Sequence, residues 1–401
     1  MKGAGKITVV AGGLPVLAAW AIGIAGLPEA HRPLSDVLAQ VLGVFLVILA
    51  WRFRRGRVAV AALAIALANL LVRSFLPDPA VSQGLTALGI ILAIDLAVLV
   101  LVGERPITST PIIVFIGVVV AQMWLVGFAA IAHSVGGGVA VPGAVGEFLT
   151  APQTARLVFL ISGVFIGLAF AARRGSFEGS LLWVLAAVAV ALLGWRGAHP
   201  ATLALGAAQL VLLIGLMEDS YRLAYHDDLT GLPGRRALNE AMRDLNGDYA
   251  IAMVDVDHFK RFNDRHGHAS GDQALRMIAN ELHAVGGGGR AFRYGGEEFA
   301  VLFPAGTPAA AREPLDALRA AVESRKFALR APSRPHAKPD TPRQKSRPPR
   351  RVTVTVSIGV AGPNSRRNTP DAVLRAADRA LYRAKAAGRN RVVAAGDKGN
   401  R

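Results

Sequence analysis

The chain changes its hydropathic pattern once, near residue 217. Before that point, runs of Ala, Leu, Val, Ile and Gly follow one another with short polar breaks; from Glu218 onward short apolar stretches alternate with charged ones. A helix needs about 20 apolar residues to cross a bilayer core. Eight runs reach or approach that length: roughly 7–27, 35–52, 58–77, 84–102, 111–132, 156–172, 180–195 and 199–217. They predict a multi-span all-α membrane bundle over residues 1–217. The first run is long and is followed at once by further spans, so it reads as a span rather than a cleaved leader.

Lys and Arg collect in cytoplasmic loops. An inside N-terminus puts Lys2, Lys6, Arg52, Arg54, Arg55, Arg57, Arg105, Arg173 and Arg174 on that side, leaving Arg32, Arg73, Arg196 and the boundary residue Arg156 opposite. An even number of spans then returns the chain to the cytoplasm at Glu218. Asn69, Asp95 and Gln122 interrupt apolar runs, and an intramembrane carboxylate is costly enough to mark either a structural bond or a sensing site. The external connection His133–Thr154 is the longest and is the candidate to meet a stimulus.

Residues 218–228 predict a helical linker that continues the last span. Beyond it, over 229–401, the pattern predicts an α/β domain with a mainly antiparallel sheet. Helices are expected at 235–246, 271–285, 308–325 and 369–387. Strands are expected at 249–256, 290–294, 298–303, 352–361 and 391–395, the second and third forming a hairpin about Gly295-Gly296. Strand 249–256 is nearly all apolar, as a central strand covered on both faces should be. Residues 327–351 hold eight Lys or Arg against Asp340, with six prolines. Such a segment cannot bury enough apolar surface to fold alone and reads as a disordered insertion; anionic lipid would attract it.

The formal net charge of +17 changes little. It lies in membrane loops and in that insertion, not in an aromatic-interleaved basic surface, so no nucleic-acid partner is expected. Without cysteine, disulfides and thiolate metal sites are excluded.

The soluble half carries the chemistry. Asp255 and Asp257 end an apolar strand two residues apart, on one face, and Glu297 and Glu298 follow the double glycine. Oxygen ligands of this kind suit Mg²⁺, which keeps waters and substrate phosphates in its shell. Lys385 and Arg389 are long cations suited to phosphate where a helix ends at Gly388. Asn263 and Asp272, in a polar stretch that also holds His268, can together read the polar edge of a purine. Singly each is weak; together they describe nucleotidyl transfer.

These residues sit in motifs that resemble the GGDEF family of diguanylate cyclases. Arg293-Tyr294-Gly295-Gly296-Glu297-Glu298-Phe299 is similar to its signature. Asp228-Leu229-Thr230-Gly231-Leu232-Pro233-Gly234-Arg235-Arg236 resembles its opening motif, with Gly234 where Asn is usual. Asp255 through Asp272, Ser357-Ile358-Gly359-Val360, Ala377-Asp378, Tyr382 through Lys385 and Gly388-Arg389-Asn390 match the remaining motifs. The likeness covers about 225–396. It implies a nucleotidyl-cyclase-like, ferredoxin-like palm joining two GTP into cyclic di-GMP as a homodimer, anchored in a bacterial inner membrane with the catalytic domain cytoplasmic.

By position, the resemblance implies Asp255, Glu297, Glu298 and the Val256 carbonyl as ligands of Mg²⁺ or Mn²⁺, with Glu297 also accepting the 3′-hydroxyl proton. Lys385, Arg389 and Lys260 would neutralise the triphosphate. Asn263 and Asp272 would bind guanine with His268 nearby, and Gly295 and Gly296 would form the turn beside the nucleotide. The family's inhibitory Arg-x-x-Asp falls on Gly286-Gly287-Gly288-Gly289, so product inhibition through that site is not expected. The alternatives are a catalytically silent GGDEF domain that binds GTP or a protein partner, and a transporter with a regulatory domain.

Overall fold

A computed structural model describes residues 12–75, 82–134, 148, 151–194, 198–325, 327–328, 351–365 and 367–397. The chain forms two compact units, Met1–Arg222 and Leu223–Arg401.

Each apolar run of the first unit is a helix: α1 (Gly13–Ala25), α2 (Arg32–Arg52), α3 (Gly56–Phe75), α4 (Ser82–Leu101), α5 (Thr110–Ser134), α6 (Pro152–Arg173), α7 (Ser176–Ala189) and α8 (Ala198–Tyr225). Among the described residues six helices are long and apolar enough to cross a membrane, and two further apolar helices are shorter. The spans within α3, α7 and α8 are mostly buried, whereas those within α2, α5 and α6 turn most of their residues outward. Leu34, Val41, Phe45 and Ile48 are among the exposed side chains of α2. Continuous apolar faces of that extent call for an apolar surround.

Charges gather at the helix ends. Glu178 is buried and lies 3.1 Å from Arg57 and 3.4 Å from Arg173, while Arg57 also meets Glu104 at 3.1 Å. A buried carboxylate needs such partners. Of the three interrupting residues, Asn69 and Asp95 are buried, and Gln122 Nε2 donates to Asp95 Oδ1 at 3.4 Å. Most of the 133–154 connection and residues 1–11 lie outside the described residues.

The second unit is a five-stranded sheet covered by helices on both faces. Its elements are α9 (Arg235–Arg243), β1 (Ala250–Val256), α10 (Phe259–His266), α11 (His268–His283), β2 (Arg290–Arg293), β3 (Glu298–Phe303) and α12 (Pro308–Ser324), then β4 (Phe327–Ala328), β5 (Arg351–Val352), β6 (Val356–Ala361), α13 (Pro370–Ala386) and β7 (Val392–Ala394). The strand order is β2-β3-β1-β6-β7, antiparallel except for β6 with β7. Every residue of central β1 is buried. Ala250, Ala252, Val254 and Val256 pack with α10, α11 and α12, and Ile251 and Met253 pack on α9 and α13. The period-two alternation thus feeds two cores. Both α12 and α13 open with a Thr-Pro pair: Thr307 and Thr369 accept the amide three residues on, and proline fixes the first turn.

Three expectations are corrected. The polar stretch after β1 holds α10, and the following helix begins at His268 rather than 271 because Gly267, at φ +80°, lets the chain turn between them. The strand expected at 352–361 is interrupted, because Thr355 turns its hydroxyl and carbonyl to Asp257. The ends of the 327–351 insertion pair with each other, Phe327 with Val352 and Ala328 with Arg351. Residues 329–350 lie outside the described residues.

Candidate active site

The sheet brings the acids together. Asp255 is the penultimate residue of β1, and its antiparallel partner on β3 is Glu298. Next to it, Val256 N–H donates to the Glu297 carbonyl at 3.3 Å. From α13, Lys385 Nζ reaches Asp255 Oδ1 at 2.8 Å. Burial holds the Asp255 carboxyl above its ordinary range, against the opposing pull of Lys385 and Arg389. Burial and the negative charge of Asp255 raise Glu297 as well. Acids that resist ionisation because they share a confined space are prepared for a cation.

Among the described residues no three acidic or imidazole side chains form a closed cage. The donors present fit a hard cation that takes only a few protein oxygens and fills its shell with water and phosphate.

Asp257, two residues beyond Asp255, is a positioning residue. Its carboxylate accepts Ser357 Oγ–H and Thr355 Oγ1–H, both at 2.7 Å, and Asn390 N–H at 3.1 Å. Asn390 and Arg389 both lie in the left-handed region, at φ 46° and 64°. Asp257 therefore pins the strained turn that carries Arg389 back to the acids.

A second clamp shapes the glycine turn. Arg293 donates to Asp227 Oδ1 at 2.6 Å, to the Gly296 carbonyl at 2.7 Å and to the Gly295 carbonyl at 3.2 Å. Thr230 donates to the same Asp227 oxygen through its amide and its hydroxyl. Burial raises Asp227, but these bonds outweigh it and hold the carboxyl below its ordinary range. An open cleft of about 410 Å³ lies here, lined by Asp227, Arg293, Gly295 and Gly296 among others.

Gly295 and Gly296 lie in the turn between β2 and β3, and neither is at positive φ. A Cβ on Gly295 would crowd the Glu298 carboxylate at 2.8 Å, and one on Gly296 would enter open space.

The α10–α11 junction carries the remaining polar residues. Lys260 and Asn263 share a face of α10 at spacing three, and His268 and Asp272 share one of α11 at spacing four. A Cβ on Gly271 would collide with Asn263 Oδ1. That oxygen is buried without a hydrogen-bond partner among the described residues. No ion pair joins Lys260 to the acids among the described residues. The clamps by Asp257 and Arg293 were not legible in sequence: Arg293 stood inside a recognised motif without a role, and its partner lies 66 residues away.

Residues 224–391 match the family model described as "Diguanylate cyclase, GGDEF domain". Diguanylate cyclase DgcP of Pseudomonas aeruginosa is 39% identical over 185 residues, covering 44% of this chain and 25% of that protein. Response regulator PleD of Caulobacter vibrioides is 35% identical over 188 residues, covering 44% and 37%. The chain thus spans well under half the length of these relatives. The crystallised GGDEF domain of DgcB from Caulobacter crescentus, solved with c-di-GMP, is 33% identical; the match covers 43% of this chain and 97% of that one, at a TM-score of 0.37. By sequence, residues 224–391 are thus a GGDEF domain similar to those of diguanylate cyclases.

Proposed function

We propose that the chain is a membrane-bound diguanylate cyclase that condenses two GTP into cyclic di-GMP and releases two pyrophosphates. The observation that carries this reading is the pairing of Asp255 with Glu298 across β1 and β3, with Glu297 near enough to feel the charge of Asp255 and Lys385 bonded to Asp255. Asp255, Glu297, Glu298 and the Val256 carbonyl would hold Mg²⁺ or Mn²⁺. When bound, the cation supplies charge neutralisation on the triphosphate and on the transferring phosphoryl group.

Asn263 Oδ1 and the Asp272 carboxylate accept guanine N–H groups, with His268 beside the base. Lys260, Lys385 and Arg389 meet the phosphates, Lys385 exchanging Asp255 for a phosphate oxygen. Glu297, with its raised affinity for protons, takes the proton of the 3′-hydroxyl. The 3′-oxygen forms a bond to the α-phosphorus of the other GTP, the α–β bridge breaks, and pyrophosphate carries off the electron pair. Two such transfers close the ring, so two catalytic domains must meet as a homodimer. The loop charge bias supports an inner-membrane location with this domain in the cytoplasm, and the multi-span unit supports regulation through the bilayer.

The full chain in lipid nanodiscs, given Mg²⁺ and GTP, is expected to form cyclic di-GMP, and Glu297→Gln to form none. Absence of product from a preparation shown to be dimeric would favour the silent, GTP-binding reading.

A further inference from the structure

Two unpaired arginines mark one end of the first unit. Four arginines stand within six residues where α2 passes to α3, at 52, 54, 55 and 57. Arg55 lies 3.7 Å from Asp219 on α8, and Arg57 lies 3.1 Å from both Glu104 and Glu178. Arg52 and Arg54 are exposed and meet no carboxylate among the described residues.

A cleft of about 470 Å³ lies against this pair. Trp51, Arg52 and Arg54 line it from the end of α2, and Pro106, Ile107 and Thr108 line it from the segment before α5. That volume falls within the roughly 300–1,000 Å³ of small-molecule sites. Its two sides are held in register, because Gly56 N–H donates to the Arg105 carbonyl at 2.9 Å and leaves no space there for a Cβ.

The walls divide by chemistry. Two guanidiniums and the Thr108 hydroxyl donate hydrogen bonds, whereas Trp51, Pro106 and Ile107 are apolar. Beside the cleft the outward faces of α2 and α5 are apolar too, with Val44, Ile48, Ile113 and Val114 exposed. The cleft sits where those faces end, on the side that the loop charge bias makes cytoplasmic.

We propose that this cleft binds the headgroup of an anionic phospholipid, with the phosphodiester between Arg52 and Arg54. The proposal rests on the reading that the first unit sits in a bilayer. Guanidinium presents paired N–H groups to phosphate oxygens. Tryptophan settles at the headgroup level of a membrane, and basic pockets on the cytoplasmic side of membrane helices take such headgroups. A soluble phosphate has no use for Trp51, Ile107 or the apolar faces, which suit a glycerol backbone and acyl chains. Because Arg55 holds Asp219, the lipid borders the helix that leads to the catalytic unit.

Native mass spectrometry tests this on the full chain, purified in detergent and titrated with dioleoylphosphatidylglycerol or dioleoylphosphatidylcholine. The first phosphatidylglycerol should bind at least ~10-fold tighter than the first phosphatidylcholine. One basic residue at an anionic headgroup is worth about fivefold in affinity, so Arg54→Gln should lose about that much. Arg52→Gln/Arg54→Gln should bring phosphatidylglycerol to the phosphatidylcholine level. Arg174→Gln is the matched control: that arginine is exposed, ends α6 on the same side, and has φ 53° against 57° for Arg54, but lies outside the cleft. It should retain the preference within about twofold, less than the loss of one bound charge. Equal affinity of the unaltered chain for both lipids would overturn the site and leave the membrane reading standing; binding of neither would overturn both. An equal loss in Arg174→Gln would reduce the preference to general loop charge. Displacement of phosphatidylglycerol by millimolar glycerol phosphate would make the cleft a soluble-phosphate site, and either result refutes the proposal. None of these readouts depends on cyclase activity.

Discussion

Removing the Asp257 carboxylate tests whether the phosphate-side turn is held by the sheet. In Asp257→Ala three donors lose their acceptor. Ser357 is wholly buried, so its hydroxyl stays unpaired at a cost of about 1–3 kcal/mol. Thr355 and Asn390 are only partly buried and recover water, adding about 1 kcal/mol together. One term opposes: Asp257 is among the charges that raise Asp255, and its removal relieves that repulsion. The net expectation is a loss of about 2–3 kcal/mol, or roughly 5–10 °C in the melting temperature of a unit this size. Asp257→Asn keeps one acceptor oxygen and should lose about half as much.

Calorimetry of the full chain measures this, with the catalytic unit's transition identified by its shift on adding GTP. Hydrogen exchange at the Asn390 amide gives the local reading and should speed up at least ~10-fold, more than global destabilisation alone accounts for. If Asp257→Ala melts within about 1 °C of the parent and Asn390 stays protected, the turn is held by something else and the argument fails.

Glu297→Gln should abolish product while leaving GTP affinity within a few-fold, a loss of about 10²–10⁴ in turnover if the group acts mainly as proton acceptor; product assay and equilibrium dialysis separate the two. Asp255 and Glu297 ionise above their ordinary values of 3.8 and 4.5. Between those values and the raised ones the native state holds more protons than the unfolded chain, so metal-free stability falls as pH rises through that window. Glu297→Gln should flatten this fall in pH-dependent denaturation. Gly359→Ala would drive a Cβ into backbone atoms of Ala377 and Leu381 on α13; a loss of about 3 kcal/mol or more is expected by denaturant titration. Product titration should show no tight non-competitive inhibition dependent on residues 286–289. Gly287 and Gly288 there adopt positive φ, and a Cβ on Gly289 would press on Val285, Val301 and Phe303, so restoring an Asp at 289 should destabilise the hairpin rather than create a binding site.

What the sequence exposes depends on how far apart the cooperating residues stand. Span length and strand alternation are local, and each predicted run and strand has its counterpart. The acids, the double glycine and the late cations sit in short motifs, because reactive groups must be presented at fixed offsets along one element. Asp257 and Asn390 are 133 residues apart, and nothing in either neighbourhood names the other. Asp257 reads as a second metal acid and Asn390 as the tail of a phosphate motif. Only folding shows that the pair offsets the left-handed backbone at Arg389 and Asn390, which costs about 1–2 kcal/mol per residue. Residues that act on a substrate cluster in sequence, whereas those that hold them in place are dispersed.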